Sequence, residues 1–597
     1  MALGPPPAAT ITVSDTLALL DGPFAALAAG VAEDRYALWL GSGISFGRID
    51  GLKQVVARVI EFLRSRVVAG SPNCRYRKAL NEVLALATLS DDETARLDLT
   101  RPYAEWPDTA AITGRLVNNY ARLLDIMVDD EDEDHLLWNG ADVPATFADP
   151  AIQPDVEHLC IALLILEGVA SDIATANWDP LIERAVDILG GGQPSLVVCV
   201  RPEDLREPAL KAHLFKFHGC AALATANQAV YRPLLVARQS QINGWTARPE
   251  NAAMVNRLID IAVSKPTLMM GLSAQDANIQ AIFAQAEARM SWPWPGDRPS
   301  YVFSENAIGV DQKGLLRNVY RTAYTPATQA QILESAVVQA FAKPLLVALT
   351  LHLLCSKLGK LIDLAPGGLT PADRDYLKDG VVTLRDGLAS RADVDRLSFV
   401  EALVEHTGRA INLFRDGQAG THPRRYNPIT ATPMQQIGTD PGLPASGLRE
   451  AAAAIGVIGM GVGQGAWTLG DVDADNDQDG IAQVNAASGA VHVFFAANSH
   501  AALRLRLNGH VADDAEAVFV HSAEIAPVLP RSPRGAPGRT GRIGLRQVSM
   551  AELLMEAANS NELLQRFREE VAISPQRRWI ASPRCWTTQA IAAWARL

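Results

Sequence analysis

Residues Tyr36–Ser45, Y-A-L-W-L-G-S-G-I-S, pass without transition from an apolar run into a glycine-serine turn. Tyr36 to Leu40 show no polar alternation, as expected of a central parallel strand covered on both faces. Gly41, Ser42 and Gly43 then supply a tight turn where a ligand can approach the backbone. A helical spacing of apolar residues follows at Leu52, Val55, Val56, Val59, Ile60 and Leu63. Strand, glycine turn and helix, in that order, present backbone N–H groups to a pyrophosphate. Alone, a Gly-x-Gly after a strand is more often a plain tight turn, and Phe46 stands where the third glycine of G-x-G-x-x-G would fall.

Working outward, Leu17 to Val31 reads as a helix lying across this strand. Residues 72–150 read as a helical insertion beside the sheet, with its acidic run Asp129 to Asp134 a solvated loop. Beyond it helices and short strands alternate: helix 155–168, strand Asp172 to Thr175, helix 180–189, strands Ser195 to Val200 and His213 to Phe217. A helix over 251–263, strand Thr267 to Met270, helix 278–288 and strand Tyr301 to Phe303 continue the series. Alternation of this kind means α/β with a Rossmann-like parallel sheet and crossover helices. The expected divisions are an extension over 1–28, the sheet unit over 29–325 and a helical region over 326–430. A C-terminal α+β module over 431–597 follows, with Thr421 to Pro444 as a proline- and glycine-rich linker.

Ligands of such sheets bind beyond the carboxyl ends of the strands. The residues there are Thr175-Ala176-Asn177-Trp178-Asp179, Lys216-Phe217-His218-Gly219 and Gly271-Leu272-Ser273-Ala274-Gln275-Asp276. Taken singly, Asn177 and Asp179 are ordinary caps for the helix starting at Pro180, His218 a turn histidine, and Ser273 and Asp276 caps of the next helix. Taken together with the opening glycine turn, four polar loops on one rim are harder to explain by capping.

In that order, G-S-G-I-S, T-A-N-W-D, K-F-H-G and G-L-S-A-Q-D resemble the successive signature motifs of the sirtuin family, in its divergent bacterial branch. The resemblance implies a domain that binds NAD and breaks its nicotinamide–ribose bond. By motif position, Gly41, Ser42, Gly43 and Ser45 would line the phosphates and nicotinamide ribose, and Asn177 and Asp179 would face the reacting ribose. His218 would be the catalytic histidine, and Gly271 and Ser273 would hold the adenosine side. Two departures qualify it: Arg48-Ile49-Asp50-Gly51-Leu52 lacks the G-I-P-D-F-R continuation of protein-deacylating sirtuins, and their zinc module with paired C-x-x-C is missing. The implied activity is therefore a regulated NAD glycohydrolase, the effector of a bacterial antiviral defence system that aborts infection by depleting NAD. The alternatives are an NAD- or ADP-ribose-sensing module without turnover, and an ADP-ribosyltransferase.

Composition agrees with a multidomain globular chain. Of 597 residues 48% are hydrophobic and 20% charged, and the net charge of −12 argues against a general nucleic-acid coat. No metal is expected: the six cysteines are scattered without a C-x-x-C, and the acidic stretch Asp471 to Asp479 has Ala486 where a calcium loop needs a bidentate glutamate. The start M-A-L-G-P-P-P-A-A-T lacks a basic n-region and the longest apolar runs fall short of the roughly 20 residues of a span, so no membrane and a cytoplasmic location are expected. Partners are expected through residues after about 326: further copies of the chain, or a sensor protein such as a short Argonaute or a ring ATPase. Nucleic acid would be met at most indirectly, or through the arginine tract 531–546.

Overall fold

The computed structural model describes residues 6–571 except 72, 209, 291, 297, 421–424, 471–481, 487–488, 511–516 and 522–545. The acidic stretch expected over 471–479 and almost all of the arginine tract lie outside the described residues, as does Cys585.

Seven parallel strands form the central sheet: β1 (Ala37–Leu40), β2 (Asp172–Thr175), β3 (Leu196–Cys199), β4 (Ala212–Lys216), β5 (Thr267–Met270), β6 (Tyr301–Ser304) and β7 (Val337–Val338), in the order β3-β4-β2-β1-β5-β6-β7. β1 is apolar throughout because its side chains alternate between two cores. Leu38 and Leu40 pack with Ile161 and Ile165 of helix Val156–Leu166, while Trp39 meets Leu258 and Phe283 on the opposite face. This is the expected Rossmann-like α/β sheet. Its seventh strand falls beyond the expected edge at residue 325, inside a stretch whose apolar spacing reads as helix.

Helix Leu52–Ser65 turns Val55, Val59 and Leu63 toward the insertion, where they share a core with Leu80, Leu116, Leu123 and Leu136. The acidic run is a largely exposed loop, as expected, but it is also ion-paired. Arg232 Nε donates to Asp134 at 2.8 Å and its Nη2 to Asp132 at 3.0 Å, Lys78 reaches Asp129 at 2.9 Å, and Arg238 reaches Glu133 at 3.3 Å. The run thus latches the insertion to the segment that follows β4.

The helix expected over 17–31 is two, Val13–Asp21 and Ala25–Ala32, bent by 92° at Asp21-Gly22-Pro23, where proline cannot donate into a continuing helix. Both pack into the main core with helix Ala342–Asp363. That helix is long and apolar enough to cross a membrane, yet 78% of its most apolar window is buried between Val13–Asp21, Val156–Leu166, Pro371–Ala392 and Leu448–Gly463. The last two cross closely on glycines: a Cβ on Gly459 would lie 1.9 Å from the Gly380 carbonyl oxygen.

The C-terminal part carries a second, mixed sheet ordered β12-β11-β10-β9-β8, with β8 (Thr468–Gly470), β9 (Ala482–Ala486), β10 (Gly489–Ala496), β11 (Ala517–His521) and β12 (Arg546–Ser549). β10, β11 and β12 pair in parallel; β8 and β9 run antiparallel to their neighbours. The linker reading of 421–444 gives way where the segment is described. Tyr426 is buried and donates to Glu167, Ile429 N donates to the same carboxylate at 2.9 Å, and Lys357 bridges Glu167 (2.6 Å) and the Thr430 carbonyl (2.5 Å). This segment is a strap across the back of the sheet unit.

Candidate active site

The strands that carry the polar loops end in line. Lys216 is paired with Thr175, Thr175 with Leu40, Leu40 with Met270 and Met270 with Ser304. The residues that follow therefore leave the sheet from one row at its carboxyl edge. Asn177 and His218 each stand two positions past a paired residue on adjacent strands. Chain order reverses beside β1, which lies between β2 and β5, so the row includes the crevice where open α/β sheets take their ligands.

The glycines of the row do work on each other. A Cβ on Gly41 would stand 2.3 Å from the Gly271 carbonyl oxygen, one on Gly43 2.6 Å from Gly271 Cα, and one on Gly271 2.6 Å from the Ile44 nitrogen. Gly271 also has φ +62, in the left-handed region. Gly43 N donates to Gly271 O at 3.1 Å and Gly41 N to Met270 O at 3.0 Å. The glycine turn read from sequence as room for a ligand is thus first of all room for the loop after β5. Ser42 and Gly43 stay exposed on its outer side, as does Ser273 on the neighbouring loop.

Asn177 is fixed from both ends of its own turn. Its backbone N donates to Thr175 Oγ1 at 3.0 Å, Thr175 Oγ1 donates to Leu40 O at 3.0 Å, and the Asn177 side-chain Nδ2 donates to Gly41 O at 3.1 Å. The amide oxygen is left as an acceptor at the rim.

Ser45 and Asp179 turn inward. Both are buried, and Ser45 Oγ donates to Asp179 Oδ2 at 3.0 Å while Leu181 N donates to Oδ1 at 3.3 Å, so Asp179 caps its helix and anchors the β1 loop together. Behind Ser45 lies His158, which sequence reasoning missed. Asp155 N donates to His158 Nδ1 at 3.1 Å, which leaves Nε2 to carry the proton and donate to Ser45 Oγ at 3.2 Å. Burial brings the His158 pKa down to about 4, consistent with a neutral ring at a helix N-terminus. The direction of this chain makes Ser45 a relay to Asp179 rather than a nucleophile, because His158 offers it a proton instead of a lone pair. Asp155 in turn holds Arg48 at 3.1 Å and Lys343 at 2.7 Å; despite burial, those partners keep its pKa near about 2. The signal available in sequence was the polar pair Glu157-His158 at the head of the otherwise apolar run Val156–Leu166.

His218 is buried, edge-on to Phe217 (4.7 Å) and Trp245 (5.8 Å). Burial lowers its pKa, against the opposing charge of Asp276, whose Oδ2 lies 3.5 Å from Nε2. Asp276 does cap helix Ala277–Arg289, as expected, through Oδ1 and Asn278 N at 2.8 Å, but its second oxygen faces the histidine. The insertion closes over this edge: Phe147 packs edge-on against Trp178 at 5.2 Å. A cavity of about 750 Å³ lies elsewhere, between the outer face of Leu52–Ser65 and the insertion, and none of the row's side chains lines it. Among the described residues no cluster of three or more His, Cys, Asp or Glu is arranged to hold a metal ion.

No curated protein matches the chain. A family model does, over the stretch from just before β2 through the helix Val310–Tyr320 that follows β6, which holds Asn177, His218 and Gly271 to Asp276 but not the glycine turn after β1: residues 171–323 match the model of a SIR2-like domain.

Proposed function

We propose that the chain is an NAD glycohydrolase that cleaves NAD to nicotinamide and ADP-ribose. SIR2-like domains are NAD-dependent enzymes. The observation that carries the hydrolytic reading is the aligned row of strand ends, which sets an acceptor amide, Asn177, beside a buried histidine, His218, at the edge of a glycine-lined crevice. Nicotinamide leaves NAD as a neutral amide from a carbon with oxocarbenium character, so the site needs little acid. It needs a held water on the free face of the sugar and a base. Asn177 Oδ1 accepts from that water and orients its lone pair toward the ribose carbon. His218 takes the proton released as water adds, which balances NAD and water against nicotinamide, ADP-ribose and a proton; base assistance of this kind contributes roughly 10²–10⁴-fold. By motif position the exposed Ser42 and Gly43 would face the pyrophosphate and Ser273 would hold the adenosine side.

The roles in regulation and antiviral defence rest on the sirtuin resemblance, with a sensor or further copies of the chain engaging residues after about 326. The experiment is NAD cleavage by the full chain, purified and in cells expressing it before and after phage challenge, with products separated. Free ADP-ribose with nicotinamide is expected; label on a macromolecule would make the chain a transferase, and intact bound NAD a sensor. Asn177→Ala and His218→Ala should each lower turnover by roughly 10²-fold or more while NAD affinity and Tm stay near wild type. Near-normal hydrolysis by either variant rejects the assignment.

A further inference from the structure

His218 Nε2 is buried and makes no hydrogen bond, yet a carboxylate oxygen of Asp276 stands 3.5 Å away. Phe217 and Trp245 pack on the ring without charge, and Asp276 is the charged group acting on it. The same carboxylate also acts on Tyr120 of the insertion, whose hydroxyl is held protonated by burial and then by Asp276. Asp276 is not free to leave: Oδ1 is committed to Asn278 N at the start of helix Ala277–Arg289, so the helix cap aims Oδ2 at the imidazole.

A carboxylate only accepts hydrogen bonds, so the nitrogen that faces it carries the proton and the other carries the lone pair. Resting on the glycohydrolase reading, we propose that Asp276 is a positioning residue for His218: it holds the proton on Nε2 and so leaves Nδ1 as the base. A buried imidazole between two aromatic rings is a poor base, because charging it is penalised by desolvation, and a fixed negative charge beside Nε2 offsets that penalty at the moment the proton arrives. The 3.5 Å separation is long for a hydrogen bond in the empty site, as catalytic contacts commonly are before substrate tightens them.

Asp276→Asn tests this without removing the cap, since asparagine caps helices about as well as aspartate. Tm should stay within a few degrees and KM for NAD within about threefold, whereas kcat should fall about 10²-fold or more. The acid limb of the pH–rate profile should also move to lower pH, because a histidine relieved of the neighbouring charge gives up its proton more readily. A capping role alone, which asparagine also fills, would leave Tm, kcat and the acid limb all in place. Should the wild-type chain prove not to turn NAD over, the glycohydrolase reading falls, and the pairing is read directly from the ¹⁵N shifts of His218, identified by loss of its signal in His218→Gln. An Nε2–H tautomer that titrates at lower pH in Asp276→Asn upholds the pairing. An Nδ1–H tautomer, or wild-type kcat with an unmoved acid limb in Asp276→Asn, overturns it.

Discussion

Gly271 shows how little slack the site has. Its φ of +62 and the 2.6 Å between a built Cβ and the Ile44 nitrogen mean that alanine there meets two penalties, left-handed strain and a backbone clash with the loop after β1. Each is worth about 1–3 kcal/mol in comparable settings. Gly271→Ala should therefore lower Tm by several degrees and weaken NAD binding, because the two loops can meet only by separating. Calorimetric unfolding and an NAD titration check this. A variant with wild-type stability and affinity would mean the loops yield freely. Asn177 and Thr175 make the same point in polar terms: the hydroxyl and the amide tie β2's exit to Leu40 O and Gly41 O, so each side chain that faces the substrate row is also a strut of it.

Among the elements, the insertion adds a charged latch to the apolar core it shares with helix Leu52–Ser65. Arg232, buried to 18% exposure between Asp132 and Asp134, is the central contact of that latch. Arg232→Ala leaves the Asp134 carboxylate half-buried without its partner, a loss of about 1–3 kcal/mol for a charged hydrogen bond. Faster hydrogen exchange across 129–134 and 228–241 should follow, with the central sheet unchanged; unaltered exchange there would relegate the acidic run to decoration. Sequence revealed the elements unevenly. β2 and β5 were legible to the residue because short apolar runs bounded by turns have no other reading, and the four loops followed from the strand ends. Val337–Val338 was not, since two residues inside a helical spacing carry no period of their own. The strap within Thr421 to Pro444 reads as linker by composition; its burial of Tyr426 against Glu167 shows otherwise. Asp276 was legible as a cap but not as His218's neighbour, because that adjacency joins residues from different crossovers. His158 gave one weak sign, its place with Glu157 at the head of an apolar helix.

Across the whole molecule one apolar core runs from Ile11 through helix Ala342–Asp363 to Phe567, so the regions on either side of residue 430 share a single interior. Removing residues from 431 onward strips Leu448–Gly463 from Ala342–Asp363 and Pro371–Ala392. It should yield an insoluble or molten product rather than an intact NAD-binding unit. A soluble fragment with a sharp unfolding transition would show instead that the sheet unit stands alone. The tie runs to the first helices as well: Val13 N is bound by Asp393 at 2.8 Å, Asp21 by Arg385 at 3.0 Å, and the Glu33 carbonyl by Gln435 at 2.8 Å across 402 positions. On a ribosome delivering about 5–20 residues per second, those 402 positions take about 20–80 s to emerge. The last residue of the proposed catalytic row, Ser273, precedes Gln435 by 162 positions, about 8–30 s at that rate, so the row is written before the strap across its back. On the proposed glycohydrolase reading, the order of translation itself would act as a safety delay: an unfinished chain would be a client for chaperones before it could be a danger to its cell.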